Sequence, residues 1–201
     1  MIRLYDYLPS GNGYKVRLLL NQLGIEYEHV ELDIIKGETR APEFTAKFPN
    51  GRIPAVEFDD GRRLFESNAI MSYFADGTPF LSADRFERAR TFQWLFFEQY
   101  SHEPYIAVMR FLKIHPDVAD PRRPMTEMIA QRGYDALGVM EGHLKSREWF
   151  VGARYSIADI ALYAYTHVAE EGGFDLASYP ATCAWLARVK SQPRHIPITQ
   201  S

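Results

Sequence analysis

The chain has 201 residues, enough for one large domain or two small ones with a buried core. Its composition, 46% hydrophobic and 24% charged with a net charge of -3, is that of an ordinary soluble protein and argues against a nucleic-acid partner, which would require concentrated basic surface. One cysteine, Cys183, excludes an internal disulfide and a two-cysteine redox motif; with no apolar secretion core and no run near ~20 apolar residues, a cytoplasmic protein without a membrane segment is expected.

Residues 2–7 alternate large apolar and polar side chains, which predicts a strand. Pro9-Ser10-Gly11-Asn12-Gly13 breaks it, and residues 15–23 carry a helical pattern closed by Gly24. Residues 27–32 form a second strand candidate, so strand, loop, helix and strand imply a parallel βαβ crossover. Residues 36–40 read as a loop, and residues 42–48 can hold a short helix. Ile53, preceding Pro54, is pushed out of the helical region. The apolar run 55–58, the Asp59-Asp60-Gly61 turn and a second run ending at Phe65 predict a hairpin. Glu66-Ser67 then opens a helix reaching about Phe74. This β-α-β-α-β-β-α order within residues 1–78, with a proline opening the third strand, is that of a thioredoxin-like domain.

The Gly-rich loop carries chemistry. Ser10 and Asn12 sit at the mouth of the first helix, where unpaired N–H groups and the positive end of the dipole favour an anion. A hydroxyl there either caps the helix or donates to a bound thiolate. A free thiol ionises near a pKa of roughly 8.5, and lowering that by two units takes about 2.7 kcal/mol of preference for the anion. One charge-assisted hydrogen bond plus a helix N-terminus is of that order.

Residues 76–82 form a short boundary punctuated by Gly77 and Pro79, and residues 84–201 read as a second, all-helical domain. Ser82 or Asp84 can cap the first long helix, with Ala89, Phe92 and Phe96 on one face, and Pro104 is expected to kink or end it. Ile129, Gly133, Leu137, Met140 and Leu144 repeat every three or four residues as in an amphipathic helix. Ser156-Ile157-Ala158-Asp159 reads as a capping box, so Ser156 and Asp159 are assigned to folding. Gly172-Gly173 should end that helix, and residues 181–189 give the last one. Cys183 is expected as a buried small apolar residue, and the six histidines show no metal spacing, so no metal is expected.

Three motifs, Ser10-Gly11-Asn12-Gly13-Tyr14-Lys15-Val16-Arg17, Pro49-Asn50-Gly51-Arg52-Ile53-Pro54 and Phe65-Glu66-Ser67-Asn68-Ala69-Ile70, occur in order ahead of an all-helical remainder. Together they resemble a glutathione transferase over essentially the whole chain. The resemblance implies a thioredoxin-like domain that binds glutathione and a helical-bundle domain that contributes the second-substrate pocket. It implies a cis Ile53-Pro54 bond, the Ile53 main chain pairing with the cysteinyl part of glutathione, and Glu66 and Ser67 holding the γ-glutamyl ammonium and carboxylate. Ser10 would orient the sulfur. Asn12 matches a position used with a hydroxyl residue in the bacterial Nu class. Serine-type members often carry histidines near the glycyl carboxylate, where Thr39 and Gly51 stand here; Arg40, Arg52 or Lys36 can supply that charge, with Arg52 favoured. Tyr5, Tyr7 and Tyr14 are read as packing residues. Glu98, Tyr100, Tyr105 and Arg110 are candidates for the second-substrate pocket or a dimer seam. The partners implied are glutathione as co-substrate, a small electrophile or disulfide, and a second copy of the chain as a homodimer. The rival readings are glutathione-dependent disulfide or peroxide reduction at the same site, and a non-catalytic binding protein with the same fold.

Overall fold

The first strand, β1 (Ile2–Asp6), pairs in parallel with β2 (Tyr27–Glu31) and antiparallel with β3 (Ala55–Glu57), which pairs antiparallel with β4 (Arg63–Phe65). The sheet order is β2-β1-β3-β4, the mixed sheet of a thioredoxin-like domain. Its helices are α1 (Gly11–Leu23), the short α2 (Pro42–Thr45) and α3 (Ser67–Ala75). The computed structural model describes residues 1–201, which form two units: residues 1–76 with 193–201, and residues 77–192.

In the first unit α1 ends where sequence chemistry says it should. Gly24 takes a left-handed conformation (φ 70°), its N–H reaches Asn21, and the Ile25 N–H reaches Leu20. Leu4, Val16, Leu19, Val56, Ile70 and Met71 are 0–1% exposed. Each contributes about 1.5–3 kcal/mol by leaving water. The tail 193–201, grouped in the sequence analysis with the helices, belongs to this unit. Fully buried Arg17 explains why: its guanidinium donates to the carbonyls of Ile198 and Gln200, to the Leu8 carbonyl (2.6 Å) and to Asp6 Oδ2 (2.8 Å). Tyr14 adds a 2.6 Å bond from its hydroxyl to the Ile196 carbonyl.

The second unit is helical: α4 (Arg85–Phe97), α5 (Glu103–Ile114), α6 (Thr126–Leu144), α7 (Ile157–Thr166) and α8 (Pro180–Lys190). Asp84 caps α4, accepting from the Phe86 and Glu87 N–H groups. The face expected on α4 is not the buried one: Phe96 is 72% exposed, and Thr91, Trp94 and Leu95 are buried instead. Aromatic residues occur all round this helix, so spacing alone could not pick the inward stripe.

α4 ends at Phe97, ahead of Pro104. A wide π turn at Glu98–His102 joins α4 to α5, the Glu103 N–H bonding five residues back to Glu98, and the missing proline N–H falls in the first turn of α5. The α7 helix stops at Thr166, ahead of Gly172-Gly173, which instead close a short 3-10 turn at Ala169–Gly172. Cys183 is exposed, contrary to expectation, while its neighbour Thr182 and Trp185 on α8 are fully buried.

The capping box is present: Ser156 Oγ accepts from the Ala158 N–H, and Asp159 Oδ2 accepts from the Ser156 N–H at 3.0 Å. Asp159 Oδ1 also accepts from the Trp185 indole (3.0 Å) and the Phe150 N–H (3.2 Å). Its total burial pushes the carboxyl up to about 6 against those bonds. No helix is long and apolar enough to cross a membrane.

Candidate active site

Ser10 occupies the N-cap of α1 with extended backbone (φ -73°, ψ 125°), and its Oγ accepts from the Gly13 N–H at 3.4 Å. The bond is long, so the hydroxyl caps weakly while standing over the positive end of the helix. The loop beneath it is pinned from two sides. The Leu8 N–H donates to both oxygens of Glu31 at 3.0 Å, and the Leu8 carbonyl accepts from Arg17.

Gly13 is required by close approach. An alanine Cβ there would lie 1.6 Å from Asp6 Oδ1. Asp6 is fully buried and ion-paired with Arg17, so β1 and the first turn of α1 can meet this closely only at a residue without a side chain.

The start of α3 lies beside the start of α1. Ser67 Oγ donates to Asn12 Oδ1 at 3.4 Å, and the Lys15 ammonium donates to both, to Asn12 Oδ1 at 2.8 Å and to Ser67 Oγ at 3.4 Å. Lys15 and Ser67 are buried and Asn12 is half-buried. Two helix N-termini and an ammonium therefore converge on one spot, which suits a ligand carrying negative charge at more than one atom.

Glu66, just ahead of α3, has φ 71° and ψ 112°, a conformation that costs a non-glycine residue about 1–3 kcal/mol. Its carboxylate accepts from Asn50 Nδ2 at 3.2 Å. Asn50 ties the loop together, since its carbonyl accepts from Arg40 (3.1 Å) and its Oδ1 from the Arg52 N–H (3.3 Å). Gly51, at φ 58°, lies so close under Arg40 that a Cβ would fall 2.7 Å from its guanidinium. The Ile53-Pro54 bond is cis, with Pro54 buried and leading into β3.

The structure thus brings Ser10, Asn12 and Ser67 together at two helix starts, and links Arg40, Arg52 and Glu66 through Asn50. Thr39 differs: it is buried in the 3-10 turn Glu38–Arg40, whereas Arg40 and Arg52 are exposed. Tyr5 and Tyr14 are packing residues whose hydroxyls are committed elsewhere, Tyr5 to Glu57 at 2.7 Å and Tyr14 to the Ile196 carbonyl. The Lys47 ammonium, with Tyr5 and Arg63, holds the Glu57 carboxyl down at about 2.

The four candidates in the helical unit separate. Glu98 is buried in the π turn, Tyr100 is 82% exposed, Tyr105 is half-buried, and Arg110 is buried in an ion pair with Glu171 (2.7 Å). Sequence reasoning missed Lys15 and Asn50. The i, i+3 spacing of Asn12 and Lys15 was a readable signal for the first, since it puts both on one helix face. Asn50 had only its place before Gly51.

Comparison with known proteins supplies the family. Residues 1–76 match the glutathione S-transferase N-terminal domain and residues 102–193 the glutathione S-transferase C-terminal domain. A glutathione S-transferase from Pseudomonas fluorescens is 51% identical, with 99% of each chain covered and a TM-score of 0.95. The disulfide-bond oxidoreductase YfcG of Escherichia coli is 35% identical over 96% of this chain and 92% of its own. The glutathione transferase URE2P8 from Phanerochaete chrysosporium, solved with oxidized glutathione, is 27% identical, with 96% of this chain and 90% of that one covered and a TM-score of 0.85. The chain belongs to the glutathione S-transferase family.

Proposed function

We propose that the protein is a cytoplasmic, homodimeric glutathione-dependent enzyme that ionises the thiol of bound glutathione and delivers the sulfur to a small electrophile, in the manner of a detoxifying transferase. The observation that carries this reading is the meeting of Ser10, Asn12 and Ser67 at two helix N-termini. Glutathione lies along the Pro54 edge, its cysteinyl part paired with the Ile53 main chain as an added strand. Ser67 takes the γ-glutamyl carboxylate and Glu66 its ammonium. Arg52, with Arg40 beside Asn50, faces the glycyl carboxylate. The strained Glu66 backbone supports a ligand clamp there, because such outliers gather where a side chain must be aimed.

At the sulfur, Ser10 donates a hydrogen bond and the α1 N-terminus supplies positive potential, so the thiol proton passes to water and the thiolate persists at neutral pH. The thiolate attacks an electrophilic carbon, a C–S bond forms and the leaving group departs with its electron pair.

A second reading has an observation of its own. Asn12 stands beside Ser10, and a relative at 35% identity is a disulfide-bond oxidoreductase. With Cys183 the sole cysteine, disulfide reduction here would draw both electrons from glutathione. One thiolate opens the disulfide to a mixed disulfide, and a second glutathione releases the product thiol and leaves as oxidised glutathione. Calorimetry should show micromolar-to-millimolar glutathione binding, and parallel assays with an aryl halide and a small mixed disulfide divide the two reactions. Absence of binding would favour a non-catalytic protein. Sedimentation at twice the monomer mass checks the dimer.

A further inference from the structure

Lys15 adds positive charge to the site, but no step of the reaction described above assigns it a role at the sulfur. Its side chain is fully buried, so its ammonium must find polar partners inside the protein. Two of them are the site residues Asn12 and Ser67, at 2.8 and 3.4 Å.

An ammonium has three donors and no acceptor. The atom of the Asn12 amide that faces it at 2.8 Å must therefore be the oxygen, because the reverse orientation would set two donor groups against each other. Ser67 Oγ, 3.4 Å away, donates to that same oxygen in the orientation the lysine sets. With Oδ1 held by the lysine, any contact of this amide with the glutathione sulfur has to come from its Nδ2 end. Asn12 then meets a ligand as a donor, which a thiolate accepts and a neutral thiol gains less from.

Resting on the reading of the site given above, we propose that Lys15 is a positioning residue: it locks the Asn12 amide in the orientation that presents N–H to the glutathione sulfur. The i, i+3 spacing makes this possible, since Asn12 and Lys15 share one face of α1 and a single turn fixes their separation. The same ammonium contacts the Ser67 hydroxyl, so the sulfur end and the γ-glutamyl end of the site share one support.

The test is the pKa of bound glutathione, read by thiolate absorbance against pH, in a double-mutant cycle. Lys15→Met keeps the stem and removes the ammonium; the bound thiol should titrate about one unit higher, a tenfold lower thiolate fraction on the acid side. In the Asn12→Ala background the same substitution should shift it by less than a third as much, because the lysine acts through the amide. Equal shifts in both backgrounds, or a fall in Tm with no change of thiol pKa, would overturn the proposal. Should Lys15→Met fail to fold, wild-type NMR decides: the Asn12 Nδ2 proton signals should titrate with the bound thiol and stay fixed with S-methylglutathione. Signals unmoved by thiol ionisation overturn it. Wild type that binds no glutathione overturns the site reading and this proposal together, whereas binding with a thiol pKa indifferent to Lys15 overturns this proposal alone.

Discussion

Replacing Gly13 with alanine would set a Cβ 1.6 Å from Asp6 Oδ1 and 2.1 Å from Asp6 Cγ. Rotating the carboxylate moves the oxygen but leaves Cγ in place, so the contact is relieved only by displacing the whole Asp6 side chain or by prising α1 from β1. The first route breaks the Arg17–Asp6 pair, both members of which are fully buried at 2.8 Å. Stranding one partner of a buried pair costs roughly 3–5 kcal/mol. Alanine returns up to about 1 kcal/mol through helix propensity, leaving a net loss of about 2–4 kcal/mol. For a chain of this length each 1 kcal/mol lowers Tm by about 2–4 °C, so thermal unfolding followed by circular dichroism should show a fall of roughly 4–16 °C. Gly138→Ala is the matched control, because a Cβ there meets nothing within 4 Å and the residue is exposed on α6; it should raise Tm by a few degrees. A Gly13→Ala protein melting within about 2 °C of wild type would refute the close-approach reasoning.

Ser10→Ala should raise the bound thiol pKa by about 1–2 units, the worth of one hydrogen bond to a charged group, while costing no more than about 1 kcal/mol of stability because the cap bond is 3.4 Å long. A large stability loss with an unmoved thiol would make Ser10 a cap alone. Glu57 titrates at about 2 in the fold against 4.5 as a free side chain, so its contribution to stability is complete above pH 4.5 and is lost as pH falls towards 2. Chemical denaturation between pH 2 and 5 should show that slope for wild type and a shallower one for Glu57→Gln. Ser156→Ala removes one half of the capping box and should cost about 1–2 kcal/mol by the same method, with glutathione binding retained.

Much of the fold was legible because local signals agreed with one another. The strand alternation at residues 2–7, the Gly24 stop and the hairpin at Asp59-Asp60-Gly61 each correspond to an observed element, and Ser156 with Asp159 forms the box that the spacing implied. The parts that were not legible depend on distant partners. Nothing local shows that Arg17 claims the carbonyls of Ile198 and Gln200, so the tail's membership of the first unit was hidden. Phe92 and Phe96 had the right spacing for a core stripe, but which side of α4 faces inward is set by the other helices of the unit. At the site, Ser10, Asn12 and Ser67 were readable as helix starts. The hydrogen bond joining two of them across 55 residues, and the lysine beneath, are products of packing.

The most direct measurement is the absorbance titration of glutathione bound to the wild-type protein. A thiol held at the mouth of α1 beside Ser10 and Asn12 should ionise about two units below the free value of roughly 8.5, with a saturable thiolate signal already present at pH 7. A bound thiol that titrates where free glutathione does, or no saturable signal at all, would contradict the assignment of this site.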